Sequence, residues 1–293
     1  VGHGAMTGRM LEGIEKILLQ EKPDAVIVFG DTNSTLAGAL AAQKIHIPVF
    51  HVEAGLRSFN MRMPEEANRV LTDRISAGLY CPTQVAVDNL LKEGYDHLGA
   101  DIVVTGDIML DAFSHYSEMV QDHKDPELDK VIGSTPFALA TIHRQENTDD
   151  PERLAAIVEG LNQVHQTTRV ICPLHPRTKK LLQQCPVKVE FDGIEPVGYL
   201  SMVRLLKGAQ FVVTDSGGLQ KEAFFAGKPC LTLRDETEWV ELLELGVNRL
   251  VKVEAQAIVA ATKDLPTGDF ASKVYGDGRA AAKIVTHLMS KLT

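Results

Sequence analysis

The sequence predicts an α/β protein with two doubly wound domains, each a parallel sheet covered by helices on both faces. Short runs that are apolar throughout, such as residues 25–29, alternate with amphipathic stretches, and strands buried on both faces are typical of parallel sheets. The alternation stops at the polar segment 121–126 and restarts at Phe137. A length of 293 residues, 44% of them hydrophobic, also favours two domains over one.

The first domain is predicted over residues 1–113. It begins with a helix at residues 7–20, in which apolar side chains recur at helical spacing. Strands are then predicted at 25–29, 48–52, 79–81 and 102–105, and helices at 34–44, 65–76 and 86–93. No strand precedes the first helix, so we expect that a first strand and helix unit is missing in front of this chain.

The second domain is predicted over residues 114–273. Its strands are predicted at 137–142, 169–172, 187–191, 211–214, 230–233 and 249–253, with helices between them. A stretch with glycine and proline at 265–268 precedes a final helix, predicted at 277–291. In two-domain folds of this type such a tail often returns to the first domain. We therefore expect residues 274–293 to cross back to it.

Charge and composition limit the partners. The formal net charge is −9 and the basic residues are scattered, which opposes the binding of nucleic acid. No apolar run approaches the ~20 residues of a membrane span, and no signal segment is seen, so we expect no membrane insertion and a cytoplasmic protein. The cysteines show no CxxC spacing and are interpreted as reduced packing residues: Cys81, Cys172, Cys185 and Cys230.

A glycine turn in the second domain predicts an anion site. Ser216, Gly217 and Gly218 lie between a strand end and the start of a helix. Glycines allow the backbone to approach an anion closely, and free N–H groups at a helix start attract it, so a pyrophosphate fits this position. Glu222, one turn into the helix, is then placed to accept hydrogen bonds from ribose hydroxyls. The alternative is an ordinary turn with Ser216 as N-cap.

Carboxylates follow the strands of the first domain. Asp31 lies at the carboxyl end of a strand, where ligands bind in open parallel sheets, although it is also a candidate N-cap. Glu53 lies just past an apolar strand in a short Ala-Gly turn, and a charged group there needs a partner or a substrate. Glu65 and Glu66 follow Pro64, and taken alone this pattern is a helix start.

Two histidines also lie at predicted strand ends. A lone histidine at such a position is more often structural, but beside acids and an anion site His143 is interpreted as functional. His175 precedes a proline, so helix capping is its alternative role. The histidines and cysteines lack metal-site spacing, and neither GxGxxG nor GxxxxGK[ST] occurs. We therefore expect no metal and no cofactor beyond the substrate.

These motifs resemble the non-hydrolysing UDP-N-acetylglucosamine 2-epimerase family. The matching text includes GDTNSTLAGALAA, HVEAGLRS, MPEEANR, VTGDIMLDA, TIHRQEN, TDSGGLQKEA and GKPCLTLRDETE. The resemblance implies the GT-B fold, two Rossmann-like domains with the active site in the cleft between them, and a homodimer. It also implies the reaction: a base removes the proton on carbon 2 as UDP leaves, and a proton returns to the opposite face of the glycal as UDP adds back.

The resemblance assigns roles to particular residues. It implies four catalytic residues: Asp31, Glu53, Glu65 and His143. The histidine would stabilise the charge on the leaving group, and the carboxylates would transfer protons and hold the sugar. The UDP-binding group falls on six residues: Ser216, Gly217, Gly218, Glu222, Arg144 and Arg234. Which carboxylate is the base stays open.

One departure bears on the substrate. Many family members read TERPE where this chain reads TEWVE, so Trp239 stands where an arginine is expected near the nucleotide. This variant resembles relatives that act on UDP-2,3-diacetamido-2,3-dideoxy-glucuronic acid. Arg57 or Arg62 is then a candidate to face the substrate carboxylate, with His175 as a further sugar contact.

Two competing functions follow from the same shape. A GT-B glycosyltransferase holds its nucleotide with a similar glycine turn, but it does not require the acids that cluster in the first domain. A UDP-sugar-binding protein without catalysis, or an inactive fragment, is the non-enzyme alternative. Epimerisation of UDP-N-acetylglucosamine to UDP-N-acetylmannosamine is the main prediction.

Overall fold

The chain folds as two compact units in the computed structural model, which describes residues 2–120 and 124–292. One unit comprises Val1–Ala112 together with Lys273–Thr293, and the other comprises Phe113–Ser272. Residues 121–123, which begin the polar segment noted in the sequence, lie outside the described residues.

The first unit is built on a four-stranded parallel sheet. Its strands run in the order β1-β2-β3-β4, which is also their order along the chain. They are β1 (Val26–Phe29), β2 (Val49–Val52), β3 (Gly78–Cys81) and β4 (Asp101–Val104). The helices are α1 (His3–Glu21), α2 (Asn33–Lys44), α3 (Pro64–Ile75), α4 (Gln84–Lys92) and α5 (Ile108–Met119), the last of which continues into the second unit. All four predicted strands are present. Only β2 and β3 are buried along their whole length as expected for a parallel sheet, while β1 and β4 are partly exposed, with Ile27 and Phe29 of β1 open to solvent.

The second unit has a six-stranded parallel sheet. Its order is β10-β9-β8-β5-β6-β7, so the strand order reverses between β5 and β8 and their two loops leave the same edge side by side. The strands are β5 (Phe137–Thr141), β6 (Arg169–Pro173), β7 (Asp192–Ile194), β8 (Val212–Thr214), β9 (Cys230–Thr232) and β10 (Asn248–Leu250). The helices are α6 (Pro126–Ile132), α7 (Gln145–Thr148), α8 (Pro151–His165), α9 (Pro176–Leu182), α10 (Tyr199–Gly208), α11 (Gly217–Phe225), α12 (Val240–Glu244) and α13 (Ala255–Lys263).

One predicted strand is wrong. Residues 187–191 are irregular, and the edge strand β7 begins only at Asp192. The side chain of Asn162 replaces a strand as the partner of this segment: its amide nitrogen donates to the carbonyl of Lys188 at 2.8 Å, and its oxygen accepts the N–H of Glu190 at 2.8 Å. The apolar residues that suggested a strand, Val187 and Val189, instead pack against the core.

The last helix, α14 (Ala280–Leu292), belongs to the first unit. Its start is held by Asp111, whose carboxylate accepts the N–H groups of Ala280 and Ala281 at 3.0 and 2.8 Å. Further along, the Tyr80 hydroxyl lies 3.2 Å from Nδ1 of His287. These bonds bind a negative group to the positive end of the helix and attach its side to β3.

A buried charge network lies under the carboxyl end of β2. The ring of His51 on β2 contacts the carboxylate of Asp73 on α3 at 2.6 Å, and neither side chain is exposed to solvent. Asp73 also accepts an N–H of Arg57 at 2.7 Å and the backbone N–H of Gly55 at 3.2 Å. Burial opposes ionisation, but the hydrogen bond and charge of His51 and the charge of Arg57 outweigh it, so the pKa of Asp73 is lowered.

In the part of the chain that the structure describes, no helix is long and apolar enough to cross a membrane. The four cysteines are free thiols, three of them buried.

Replacing Asp73 by asparagine should lower the free energy of unfolding by about 3–5 kcal/mol near neutral pH, because the charge of a buried ion pair is left uncompensated. The lowered pKa of Asp73 makes its contribution full above about pH 3.9 and lost as the pH falls through the folded value. Urea unfolding at several pH values measures the difference, which should be largest between about pH 4 and 6.5 and shrink in acid.

The control is Asp96→Asn, since Asp96 and His97 form an exposed pair of the same type in the same unit. It should leave the urea midpoint unchanged. A loss for Asp73→Asn that stays constant down to pH 2 would contradict the role of the charge.

Candidate active site

Asp31 lies in the loop after β1 and is tied to α3. Its carboxylate forms an ion pair with Arg69, and its own backbone carbonyl accepts from the side chain of Asn68 at 2.9 Å. The N-cap of α2 is Thr32, whose hydroxyl accepts the N–H of Thr35, so Asp31 has no capping role. Its side chain is 30% exposed, which leaves the carboxylate within reach of a ligand.

Glu53 lies in the loop after β2 in a strained backbone conformation. Its φ of 74° is in the left-handed region that residues with a side chain seldom adopt. The backbone N–H groups of Glu53 and Ala54 both donate to the carbonyl of Tyr80 at 3.1 Å, which fixes this turn against β3. Its carboxylate lies beside Gly30, the residue before Asp31. Strain of this kind is found at functional positions, where the fold holds a side chain in place.

The two glutamates at the start of α3 differ in environment. Glu66 is buried and accepts the backbone N–H groups of Ser58 and Phe59 at 3.0 and 2.9 Å, and it also pairs with Arg69 at 2.7 Å. It is therefore a structural anchor of the loop before α3. Glu65 is only half-buried, on the first turn of the same helix, and the structure leaves it open to a ligand.

In the second unit, a buried aspartate shapes the loop after β5. The carboxylate of Asp215, which has no exposure, accepts the N–H groups of His143 and Arg144 at 3.1 Å. It also accepts the side-chain amide of Asn147 at 3.2 Å and lies 3.2 Å from Nδ1 of His143. The ring of His143 is thereby oriented by Asp215 while about half of it faces solvent. A carboxylate partner on Nδ1 leaves Nε2 as the nitrogen that meets a ligand.

The start of α11 has the chemistry of an anion site. Ser216 caps the helix, since its hydroxyl accepts the N–H of Leu219 at 3.3 Å. A Cβ on Gly217 would lie 2.7 Å from the carboxylate of Glu238 and 3.5 Å from the guanidinium of Arg144, so a larger residue would displace the Glu238 side chain. Arg234 is buried and donates to Glu238 at 2.9 Å. Two arginines therefore converge with the positive end of a helix.

The carboxylate of Glu222 is buried one turn into α11. It accepts the hydroxyl of Tyr199 at 2.7 Å. Burial raises the pKa of Glu222, and the hydrogen bond from Tyr199 and the charge of Lys221 offset only part of that effect.

Trp239 is also buried, and the ammonium of Lys221 lies 3.8 Å from the centre of its ring. The aromatic residue that replaces the expected arginine is thus a cation–π partner of a buried lysine.

The three residues predicted to contact the sugar lie in different environments. Arg57 is corrected: its guanidinium is buried and bonded to Asp73 and Glu93, so no part of it is available to a substrate. His175 is the N-cap of α9, where its ring accepts the N–H of Arg177 at 3.3 Å, which is the capping alternative. Arg62 is exposed before α3.

In each unit, the sequence analysis did not identify the residues that hold the candidate site residues in place. Asp215 and Arg69 stand inside motifs already noted, but their partners lie 72 and 38 positions away in the chain. Tyr199, on α10, has no motif that links it to Glu222. For Asp215, the signal in the sequence was its position as the acid inside the TDSGG motif. Among the described residues, no group of three or more His, Cys, Asp or Glu is arranged to hold a metal ion.

Comparison with known proteins places this geometry in one family. The family model of UDP-N-acetylglucosamine 2-epimerase matches residues 1–289. The chain is 51% identical over 289 residues to the UDP-2,3-diacetamido-2,3-dideoxy-D-glucuronate 2-epimerase of Pseudomonas aeruginosa, covering 98% of this chain and 80% of that protein. It is 43% identical over 294 residues to the UDP-N-acetylglucosamine 2-epimerase of Methanocaldococcus jannaschii, covering 97% and 80%.

Solved structures agree with the fold. The crystal structure of the Methanocaldococcus jannaschii UDP-GlcNAc 2-epimerase in complex with UDP-GlcNAc and UDP aligns with a TM-score of 0.89 at 42% identity, covering 99% of this chain and 82% of that one. A co-structure of S. aureus MnaA with UDP aligns with a TM-score of 0.88 at 32% identity, covering 100% and 80%. The two parallel sheets are those of the GT-B fold.

Replacing Glu222 by glutamine should maintain or raise the melting temperature at pH 7. A raised pKa means that ionisation costs the folded state stability as the pH rises from about 4.3 through the folded value, and glutamine avoids this cost while its oxygen still accepts from Tyr199. Thermal unfolding at pH 4 and pH 7 measures the effect, with Glu159→Gln on the exposed side of α8 as control. A lower melting temperature at pH 7 for the Glu222 variant alone would contradict it.

Proposed function

Since the chain belongs to the UDP-N-acetylglucosamine 2-epimerase family, we propose that it inverts carbon 2 of a UDP-linked acetamido sugar, interconverting UDP-N-acetylglucosamine and UDP-N-acetylmannosamine. The single observation that supports this most is the start of α11, where a glycine turn, Arg144 and Arg234 converge beside the oriented ring of His143. The reaction eliminates UDP to a glycal and adds it back. The homodimer and the cytoplasmic location implied by the resemblance are part of this proposal.

In the second unit, we assign the diphosphate to the helix start. Gly217 and Gly218 offer backbone N–H groups, Ser216 caps the helix with its hydroxyl, and the arginines supply charge. His143 stabilises the negative charge that develops on the leaving diphosphate, and Asp215 supports this by holding the ring in one orientation. Glu222 accepts from the ribose hydroxyls, a task for which its buried carboxylate is already aimed by Tyr199.

In the first unit, the carboxylates serve the sugar. Asp31, Glu53 and Glu65 provide the groups that remove the proton from carbon 2 and return one to the opposite face. Glu53 is held by its strained turn, and Asp31 is held by Arg69. Fixed carboxylates of this kind lose little entropy when the substrate arrives, which favours proton transfer.

The sugar itself has a second candidate, UDP-2,3-diacetamido-2,3-dideoxy-glucuronic acid. A relative that acts on this diacetamido-glucuronate is 51% identical to the chain. The exposed guanidinium of Arg62 lies before α3, on which Glu65 stands, and it is suited to a substrate carboxylate.

Incubation with UDP-N-acetylglucosamine in heavy water tests the function. Proton NMR should show deuterium entering carbon 2 together with a new manno-type anomeric signal. Replacing Glu53 by glutamine should slow this exchange by at least about 100-fold, because a positioned general acid or base contributes that much. Glu12→Gln, on the exposed face of α1, is the control that keeps full activity. Tight UDP-sugar binding by the unaltered chain with no exchange would contradict the proposal.

Replacing Arg62 by alanine tests the acidic substrate. We expect kcat/KM for the diacetamido-glucuronate to fall about tenfold further than for UDP-N-acetylglucosamine, since a charged hydrogen bond is lost only with the acidic sugar. Arg9→Ala, an exposed arginine on α1, should leave both values unchanged. An equal effect of Arg62→Ala on both sugars would remove the support for Arg62.

A further inference from the structure

The ring of His51 has a hydrogen-bond acceptor at each nitrogen. Nδ1 lies 2.6 Å from the carboxylate of Asp73, and Nε2 lies 2.7 Å from the backbone carbonyl of Gly30. A carbonyl oxygen only accepts. Asp73 also accepts N–H groups from Gly55 and Arg57, as an ionised carboxylate does. Both ring nitrogens must therefore donate, which makes the ring an imidazolium although it has no exposure to solvent.

The surrounding charges support this state. Burial opposes protonation, while Asp73, the carbonyl of Gly30 and the carboxylate of Glu53 favour it, and together they raise the pKa of His51. Arg57 faces the same aspartate from the other side. The nearby thiol of Cys81 stays neutral, since burial raises its pKa.

The position of His51 links two proposed catalytic carboxylates. It stands on β2, level with Val28 on β1 and Leu79 on β3. Its ring bonds to the carbonyl of Gly30, the residue before Asp31, and it precedes Glu53 by two positions. Glu53 has a φ of 74°, a conformation that needs external support in a residue with a side chain, whereas Gly30 adopts its φ of 65° without strain.

We propose that His51 is a positioning residue for epimerisation, an imidazolium that clamps the Gly30 carbonyl and thereby sets the spacing of Asp31 and Glu53. This inference rests on the proposed function and deepens it. His51 does not touch the substrate. Its contribution is to hold the loop after β1 against the loop after β2 and to place a positive charge beside Glu53.

Two variants separate the clamp from simple structural support. The amide nitrogen of glutamine reaches the position of Nε2 and can still donate to Gly30, whereas that of asparagine reaches the position of Nδ1 and can donate only to Asp73. Each variant lacks the positive charge of the imidazolium and one of its two hydrogen bonds. A residue that merely stabilised the fold would give the two variants the same turnover per folded molecule.

We expect His51→Asn to lower kcat about 100-fold, as for a displacement of catalytic groups by about 1 Å, and His51→Gln to remain at least about tenfold faster than His51→Asn. KM and the Kd for UDP should stay within about twofold for both, since the assigned UDP-binding residues lie in the other unit. His46→Asn, an exposed histidine before β2, is the control and keeps full activity. Equal kcat values for the Asn and Gln variants would overturn the proposal.

A second measurement needs no variant. In the unaltered chain labelled with nitrogen-15 at its ten histidines, the enclosed ring of His51 should show two protonated nitrogens at pH 7. Ten rings that are all neutral at this pH would overturn the proposal, and this result decides it even where a variant does not fold. Failure of the proposed function is distinct, because it would appear as an absence of carbon-2 exchange in the unaltered chain.

Discussion

Each unit of this protein arranges its site around one buried aspartate. A carboxylate without exposure must be matched by donors, and both Asp73 and Asp215 are matched by backbone N–H groups of a neighbouring loop together with side chains. An unpaired buried carboxylate would cost free energy, so the hydrogen bonds that compensate its charge also hold the loops that donate them. The same constraint explains why His51 and His143 each have an aspartate at Nδ1, and why the two rings differ: one is enclosed and one is half exposed.

The start of α11 shows how two arginines are held beside a helix N-terminus. Two arginines close to a helix N-terminus repel one another and the helix dipole. Glu238 compensates, because it bonds to Arg234 and lies against Gly217. Although burial raises the pKa of Glu238, the charges of Arg234 and Arg144 outweigh this and lower it, so the carboxylate is ionised at neutral pH. Under the proposed function, a diphosphate has to compete with this internal anion, which favours ligands with more than one negative charge.

The sequence predicted the elements whose signal is local. The strand β1 is a run of four apolar residues, and the glycine turn before α11 has its own pattern. The sequence-based prediction failed where a side chain distant in the chain determines the local structure. Asn162 bonds the segment at 188–190, which was predicted as a strand. Glu93, which binds the Arg57 guanidinium, lies 36 positions from it. Arg57 looked like a substrate contact because a motif gives residue types without their burial. The acids at strand ends were found, but the groups that orient them were not.

Two residues of the candidate sites, Glu53 and Glu222, lower the stability of the fold. Glu53 is held at a positive φ, and Glu222 is buried with a raised pKa, so each costs the folded state free energy that a different residue would avoid. The buried network at Asp73 holds the backbone of Gly55 just after Glu53, and the one at Asp215 holds the loop that carries His143. Glu53 and Glu222 cost the folded state free energy although the surrounding structure holds them in place. The proposed binding of a UDP-sugar explains why such residues are present.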